Sequence, residues 1–466
     1  MKMLIHELNS DHILQLQNSQ GSLYWSKCAE LVCNKHGLRC AEAKGSYEPK
    51  NTTNNYNISL RGTANLEHHG FFEGPIEKQL LNNIGICFET ETCAEIEIFD
   101  KYKKSVGKLN YKRFNVKKIP QSRKETTIPY EHIDKNEMLR AKTISFQYFD
   151  KISKNWEIVA FAKTEGGELK PILVKNSKHM MCGFEVFDIF GFNHFLPKLT
   201  HGFFNTFEGT YQFLVERFFI EEIQKHSYDI NMSVTRNPIW PRAYKAALSI
   251  RHDYDRFIVD EKVDEILHFY SKNELKSTWF ILVDRPPSQY QINSILALGH
   301  EVSLHTVAST FSEFESEVKK FRELTGVKAE GFTCHGGIGS SGALGLTHNV
   351  WARKCGLRYG EMHGSCRGMP HPLIAVANNE MIVEDFFVQN CHFSLDINTR
   401  KDGHQLEKLA KEIPIALENG EHVTIMNHPD IHWEELKLLL GRLNLDSVLK
   451  ESIHKVLMSV GNGYHV

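Results

Sequence analysis

Ala246-Ala-Leu-Ser-Ile-Arg-His-Asp-Tyr-Asp255 decides how this chain is read. It opens as an apolar run suited to a buried strand and then places two carboxylates, Asp253 and Asp255, two residues apart. Side chains at that spacing share one face of an extended chain, so the C-terminal end of the strand carries an acidic pair. An isolated pair of this kind is most often a solvated turn. Three later stretches argue for a site instead: Gly299-His-Glu-Val-Ser-Leu-His-Thr306, Phe332-Thr-Cys-His-Gly-Gly337 and Thr424-Ile-Met-Asn-His-Pro429.

Outward from that strand, everything beyond residue 243 alternates between strand and helix. Leu248 to Ile250 leads to a helix near Val259 to Ser271, then to strand Ser277 to Val283, a helix near Ser288 to Leu298, and strand Glu301 to Leu304. A helix over Phe311 to Leu324 precedes strand Gly331 to Cys334, helix Thr347 to Cys355, the short Leu357-Arg-Tyr359 and strand His422 to Met426. Repeated βα units of this length predict parallel strands with helices outside, as a barrel or a doubly wound sheet, and both place active residues at strand C-terminal ends.

Before residue 243 the pattern differs. Residues 1–60 read as a helix, roughly Ser22 to Asn34, with loop; 61–200 read as a β-rich accessory domain built from segments such as Glu95-Ile-Glu-Ile-Phe99 and Ile144-Ser-Phe-Gln-Tyr-Phe149. Residues 201–242 read as a linker containing a helix with apolar positions 207, 211, 214 and 218. The two prolines of Asn237-Pro-Ile-Trp-Pro-Arg242 mark the main boundary, leaving 243–466 as the barrel with C-terminal helices.

Composition narrows the function. The chain has 466 residues and a formal charge of −2, with no basic run interleaved with aromatics, which argues against a nucleic-acid partner. No apolar run approaches the ~20 residues of a membrane span. The N-terminal segment turns polar after a few residues, unlike a secretory signal, so the cytoplasm is the expected compartment. Ten cysteines without a C-x-x-C pair fit reduced, buried thiols; Cys28, Cys33, Cys40 and His36 are too irregularly spaced for a structural zinc site.

Asp253, Asp255, His305, His335 and His428 each fall at or just beyond a predicted strand end, on four strands. A parallel barrel gathers such ends at one mouth, where a carboxylate and imidazoles suit a divalent metal, zinc above all. With these residues in place, 243 to about 435 resembles the NodB-type polysaccharide deacetylase family, a deformed (β/α) barrel of metal-dependent carbohydrate N-deacylases. Ser249-Ile-Arg-His-Asp-Tyr-Asp255 resembles that family's first motif, which implies Asp253 as general base and Asp255 as metal ligand. Gly299 to Thr306 resembles the second motif, with His305 as a ligand, and Asn427-His428-Pro429 the last, with His428 as general acid.

Two positions depart from the family pattern. A second metal-binding histidine four residues after the first is replaced by Ser309, and the arginine of the third motif by Thr333. The expectation is that His335 supplies the missing ligand and that Arg367 orients Asp253 in place of the lost arginine. Arg251 is expected in an ion pair or near a substrate carboxylate or phosphate, and the backbone N–H near Thr306 or in the 335–337 segment is a candidate oxyanion donor. The resemblance implies a metal-dependent N-deacylase of an amino sugar, with a sugar or nucleotide-sugar substrate from surface polysaccharide biosynthesis. The competing readings are a metal-free carbohydrate-binding or scaffolding module and an amidase of a non-sugar C–N bond.

Overall fold

The computed structural model describes residues 14–18, 32–33, 36, 40–42, 56–60, 69–74, 76–110, 144–187, 189–190, 206–232, 239–241, 243–335, 342–360, 371–377, 380–388, 393–395 and 404–461. The described chain falls into two compact units. One lies within 1–113, 134–195 and 211–239; the other lies within 114–133, 196–210 and 240–466.

The first unit is built on strands β1 (Leu14–Asn18), β2 (Cys40–Glu42), β3 (Asn57–Leu60), β4 (Gly70–Glu73), β5 (Ile86–Cys93), β6 (Glu95–Asp100), β7 (Ser105–Asn110), β8 (Ile144–Ile152), β9 (Glu157–Lys163), β10 (Leu169–Lys175) and β11 (His179–Cys182). Nine form one sheet in the order β2-β1-β3-β4-β11-β10-β9-β6-β7, parallel from β2 to β11 and antiparallel beyond. Strands β5 and β8 pair separately as an antiparallel ribbon. Residues 1–60, expected as helix and loop, contribute three strands of the sheet, while 22–31, most of the expected helix, lie outside the described residues. β1 and β3 do alternate apolar with polar residues, but over only four or five positions, and the parallel partners that hold them are distant in sequence.

Helix α1 (Lys78–Asn83) packs Leu81 with Phe72, Ile76, Ile86 and Phe149. Helix α2 (Thr206–Asp229), expected in a linker, buries Val215, Phe219, Ile220 and Ile223. Its Glu216 lies 3.3 Å from His36, and its His226 is bonded at 2.7 Å to the Tyr56 hydroxyl. Its described buried face is therefore one residue out of step with the expected 214/218 stripe. In Leu-Val-Glu-Arg-Phe-Phe-Ile220 apolar residues occupy adjacent positions, so periodicity alone leaves the face ambiguous.

The second unit alternates as expected. It contains β12 (Ala246–Tyr254), α3 (Asp260–Lys272), β13 (Ser277–Leu282), α4 (Gln289–Ala297), β14 (Glu301–Thr306), α5 (Phe311–Thr325), β15 (Gly331–Cys334), α6 (Gly342–Lys354), β16 (Tyr359–Gly360) and then β17 (His371–Ala377). There follow β18 (Glu380–Val388), β19 (Phe393–Ser394), α7 (His404–Glu418), β20 (His422–Asn427), α8 (Trp433–Leu440), β21 (Val448–Lys450) and α9 (Ile453–Gly461). The sheet order is β17-β18-β16-β15-β14-β13-β12-β20-β19, with β21 against the start of β12. All pairs are parallel except β17 with β18.

From β12 to β16 each strand adds on the same side of its predecessor. Right-handed crossovers that always step in one direction put their helices on one face, which is the winding of a barrel and not of a doubly wound sheet. The other face is also covered, because every residue of β12, β13, β15 and β20 is buried. Among the described residues the edge strands β17 and β19 do not pair with each other, so the sheet is a half-barrel in its hydrogen bonding. No helix among the described residues is long and apolar enough to cross a membrane.

The N-terminal ends of the strands are closed by a polar network around Glu301. Its carboxylate accepts hydrogen bonds from the Tyr359, Thr278 and Ser303 hydroxyls at 2.7, 2.9 and 3.1 Å, and from the His454 N–H at the start of α9 at 3.1 Å. Gly331 leaves room for the Tyr359 ring, which a β-carbon there would strike. Glu301→Ala orphans several buried donors and is expected to cost about 2–4 kcal/mol, read as a lower urea midpoint.

Candidate metal centre

Parallel register brings the expected residues to one level. On β12, Tyr254 pairs with Ile281; on β13, Leu282 pairs with His305; on β14, His305 pairs with Thr333; and His252 pairs with Asn427 of β20. Asp255, His305, His335 and His428 consequently end four strands at one rim. Asp255 Oδ1 lies 3.0 Å from His305 Nε2, while Oδ2 lies 3.2 Å from His335 Nε2 and 3.1 Å from His428 Nε2. His305 is buried; His335, at 36% exposure, faces the opening.

Asp255 Oδ1 is buried and close to an imidazole nitrogen, yet it has no hydrogen-bond partner among the described residues. One donor atom each from Asp255, His305 and His335 lies within 4.8 Å of the others. Two imidazoles and a carboxylate are a donor set for zinc or a similar ion, and the unmatched oxygen among them fits a cation. Burial alone would raise the Asp255 carboxyl; the imidazoles of His305, His335 and His428 against it more than offset that and hold the group far below the usual carboxylate range. Asp255 in turn raises His335, against burial and the charge of Arg285.

Asp253 stands beside this group in a buried ion pair. Arg251 Nε and Nη2 donate to its two oxygens at 2.6 and 2.7 Å, and the guanidinium lies 5.3 Å from the centre of the Phe280 ring. Burial pushes the Asp253 carboxyl up, but Arg251, with His305 and His428, brings it below its ordinary value. The orienting role expected of Arg367 has Arg251 in it; Arg367 lies outside the described residues. The ion pair expected of Arg251 is present; its partner, which sequence reasoning left unnamed, follows from the spacing, since the period that pairs Asp253 with Asp255 also puts Arg251 on that face. Arg251→Met leaves a lone buried carboxylate and is expected to cost about 3–5 kcal/mol in urea unfolding, with Arg251→Met/Asp253→Leu recovering most of it.

The departures from the motif pattern have local explanations. Ser309 does not face the cluster: its N–H and hydroxyl donate to Glu313 at 2.8 and 3.0 Å, next to the Thr310–Glu313 capping box that starts α5. Thr333 is buried in β15 as the register partner of His305. Alternation turns the Thr306 side chain away from His305, and its hydroxyl donates to Glu317 at 2.5 Å and accepts from the Ala308 N–H, so the side chain orients the turn after β14. The His335 N–H is spent on the Thr306 carbonyl at 2.8 Å and is no oxyanion donor; residues 336–337 lie outside the described residues.

His252 occupies the opposite face of β12. Its Nδ1 donates to Asn427 Oδ1 at 3.0 Å, its Nε2 accepts from the Tyr270 hydroxyl at 2.7 Å, and Asn427 Nδ2 donates to the Arg251 carbonyl. Asn427 thereby ties β20 to β12 immediately before His428.

No protein-family model matches the chain, and no curated protein matches it. Among solved structures it is similar to Puue allantoinase at 14% identity and a TM-score of 0.36, over 49% of this chain and 94% of that one. It is similar to the polysaccharide deacetylase Bc1974 from Bacillus cereus at 13% identity and a TM-score of 0.30, over 45% and 93%. A third similar structure is BA3943, a CE4 family pseudoenzyme from Bacillus anthracis, at 12% identity and a TM-score of 0.29, over 45% and 65%. Likenesses this faint decide neither fold nor activity.

Proposed function

We propose that residues 243–466 form a deformed (β/α) barrel that hydrolyses a linear amide with the help of a divalent metal, acting as an N-deacylase of an amino sugar or nucleotide-linked amino sugar in surface polysaccharide biosynthesis. One observation carries this reading: a single partly buried carboxylate, Asp255, meets imidazoles from three other strands at the C-terminal rim, with one oxygen unmatched. Asp255, His305 and His335 would hold the ion. When bound, zinc or a similar ion supplies Lewis acidity, polarising a carbonyl and making water a stronger acid. Asp253, kept ionised by Arg251, would take a proton from the attacking water as general base. His428 would deliver one from Nε2 to the departing amine, and Asn427 keeps its strand in register for that role.

A second reading, a metal-free carbohydrate-binding or scaffolding module, is favoured by Ser309, which is committed to the α5 cap and not to the cluster. Zinc titration of the chelator-treated protein separates the two. One ion per chain supports the hydrolase, and a protein that stays metal-free with zinc and with cobalt favours the module. Release of amine from sugar and non-sugar amides then distinguishes a deacylase from an amidase of another C–N bond.

A further inference from the structure

We infer that the ligand of this rim carries an oxyanion, a phosphate or a carboxylate, and that Arg285 is the residue that selects it. The inference rests on the reading of the rim as a substrate site and names the chemistry of what enters it.

Strand β13 lies between β12 and β14, whose ends supply Asp255 and His305, yet β13 adds nothing to the cluster. The chain turns directly after it, the Arg285 N–H bonding to the Leu282 carbonyl at 3.3 Å, and Leu282 is the register partner of His305. Arg285 therefore belongs to the loop that leaves the rim between the two ligand strands. Pro286 and Pro287 follow, each fixing its own φ and restricting the residue before it, so the turn that presents Arg285 is stiff.

Charge balance points the same way. Asp253 is already paired with Arg251, and both Asp255 oxygens face imidazole nitrogens, so neither carboxylate has Arg285 as its partner. Its side chain is 66% exposed, and the nearest carboxylate, Asp284, is 4.0 Å from Nε, outside hydrogen-bond range. Arg256, directly after Asp255, is similar: 64% exposed, with Asp430 at 3.9 Å. Two guanidinium groups with donors to spend thus flank the β12–β13 edge of the rim, and a planar fork of donors suits a phosphate or carboxylate.

The test is calorimetric titration of the intact chain with inorganic phosphate and, separately, with acetate, at low ionic strength, with and without zinc. Arg285→Gln is compared with wild type and with Arg322→Gln, in the last turn of α5 and so at the opposite end of the strands. Losing a charge-assisted hydrogen bond should weaken anion binding about tenfold or more in Arg285→Gln and leave Arg322→Gln unchanged. The stronger of the two anions identifies the group as phosphate or carboxylate. Equal affinity in Arg285→Gln and wild type, or no binding of either anion by wild type, overturns the inference. Zinc uptake measured on the same samples reads the metal centre separately, so Arg285-dependent anion binding in a protein that takes no zinc would sink the hydrolase and keep the anion site.

Discussion

Asp255→Ala is expected to abolish stoichiometric cation binding. Asp255 is the one residue that touches all three histidines, and with it the cluster loses its only negative ligand among the described residues. Removing the charged partner from a largely buried set costs about 3–5 kcal/mol, or roughly two to nearly four orders of magnitude in affinity. The histidines should then grade by position. His305→Ala, buried on β14, should approach the Asp255→Ala result, whereas His335→Ala, whose ring faces the opening, should weaken binding less. His428→Ala should keep the ion and lose turnover. Metal content after dialysis, read by mass spectrometry with circular dichroism as a folding check, decides the matter. Wild-type zinc affinity in Asp255→Ala would remove the centre from any account of this protein.

Acid should unfold the second unit well above the carboxylate range. Burial lowers His252, His300 and His422 to about 3, so all three are neutral imidazoles in the folded chain. Their partners agree: His300 Nδ1 accepts from the Ser277 N–H at 3.0 Å, and His252 Nε2 accepts from Tyr270. Below the ordinary imidazole value near 6.5 the unfolded chain binds protons that the folded chain refuses, so stability falls as pH falls, until the native groups themselves titrate near 3. Between pH 7 and pH 5 that is on the order of 2 kcal/mol for each histidine and about 6 kcal/mol for the three. Urea midpoints taken across this range, with a chelator present so that loss of a metal does not contribute, should drop steeply. His300→Gln should flatten the slope by about a third. A midpoint that does not move between pH 7 and pH 5 would mean that these rings protonate inside the fold.

The strands and helices from 246 to 334 were legible because each unit repeats a short apolar run and an amphipathic helix, signals that depend on near neighbours. β12 was underestimated: its polar second half, Arg251-His-Asp-Tyr254, reads as a strand end, but it is fully buried because helices cover one face and the inner residues of the sheet the other. The hairpin of β17 and β18 and the strand β21 went unread, β21 being three residues long and held by its parallel partner β12.

By itself, the sequence determined the alternating βα pattern and the placement of Asp253, Asp255, His305, His335 and His428 at strand ends, because strand period and strand length are local properties. Only the tertiary structure decided which of those ends meet. Sheet order and parallel register are set by contacts between residues far apart in the chain, and they put His335 and His428 on the same oxygen of Asp255 and tied Asp253 to Arg251. What Ser309 does was settled locally, since its hydroxyl goes to Glu313 four residues on, at the cap of α5, whereas His335 reaches Asp255 only because β15 lies two strands beyond β13 in the sheet.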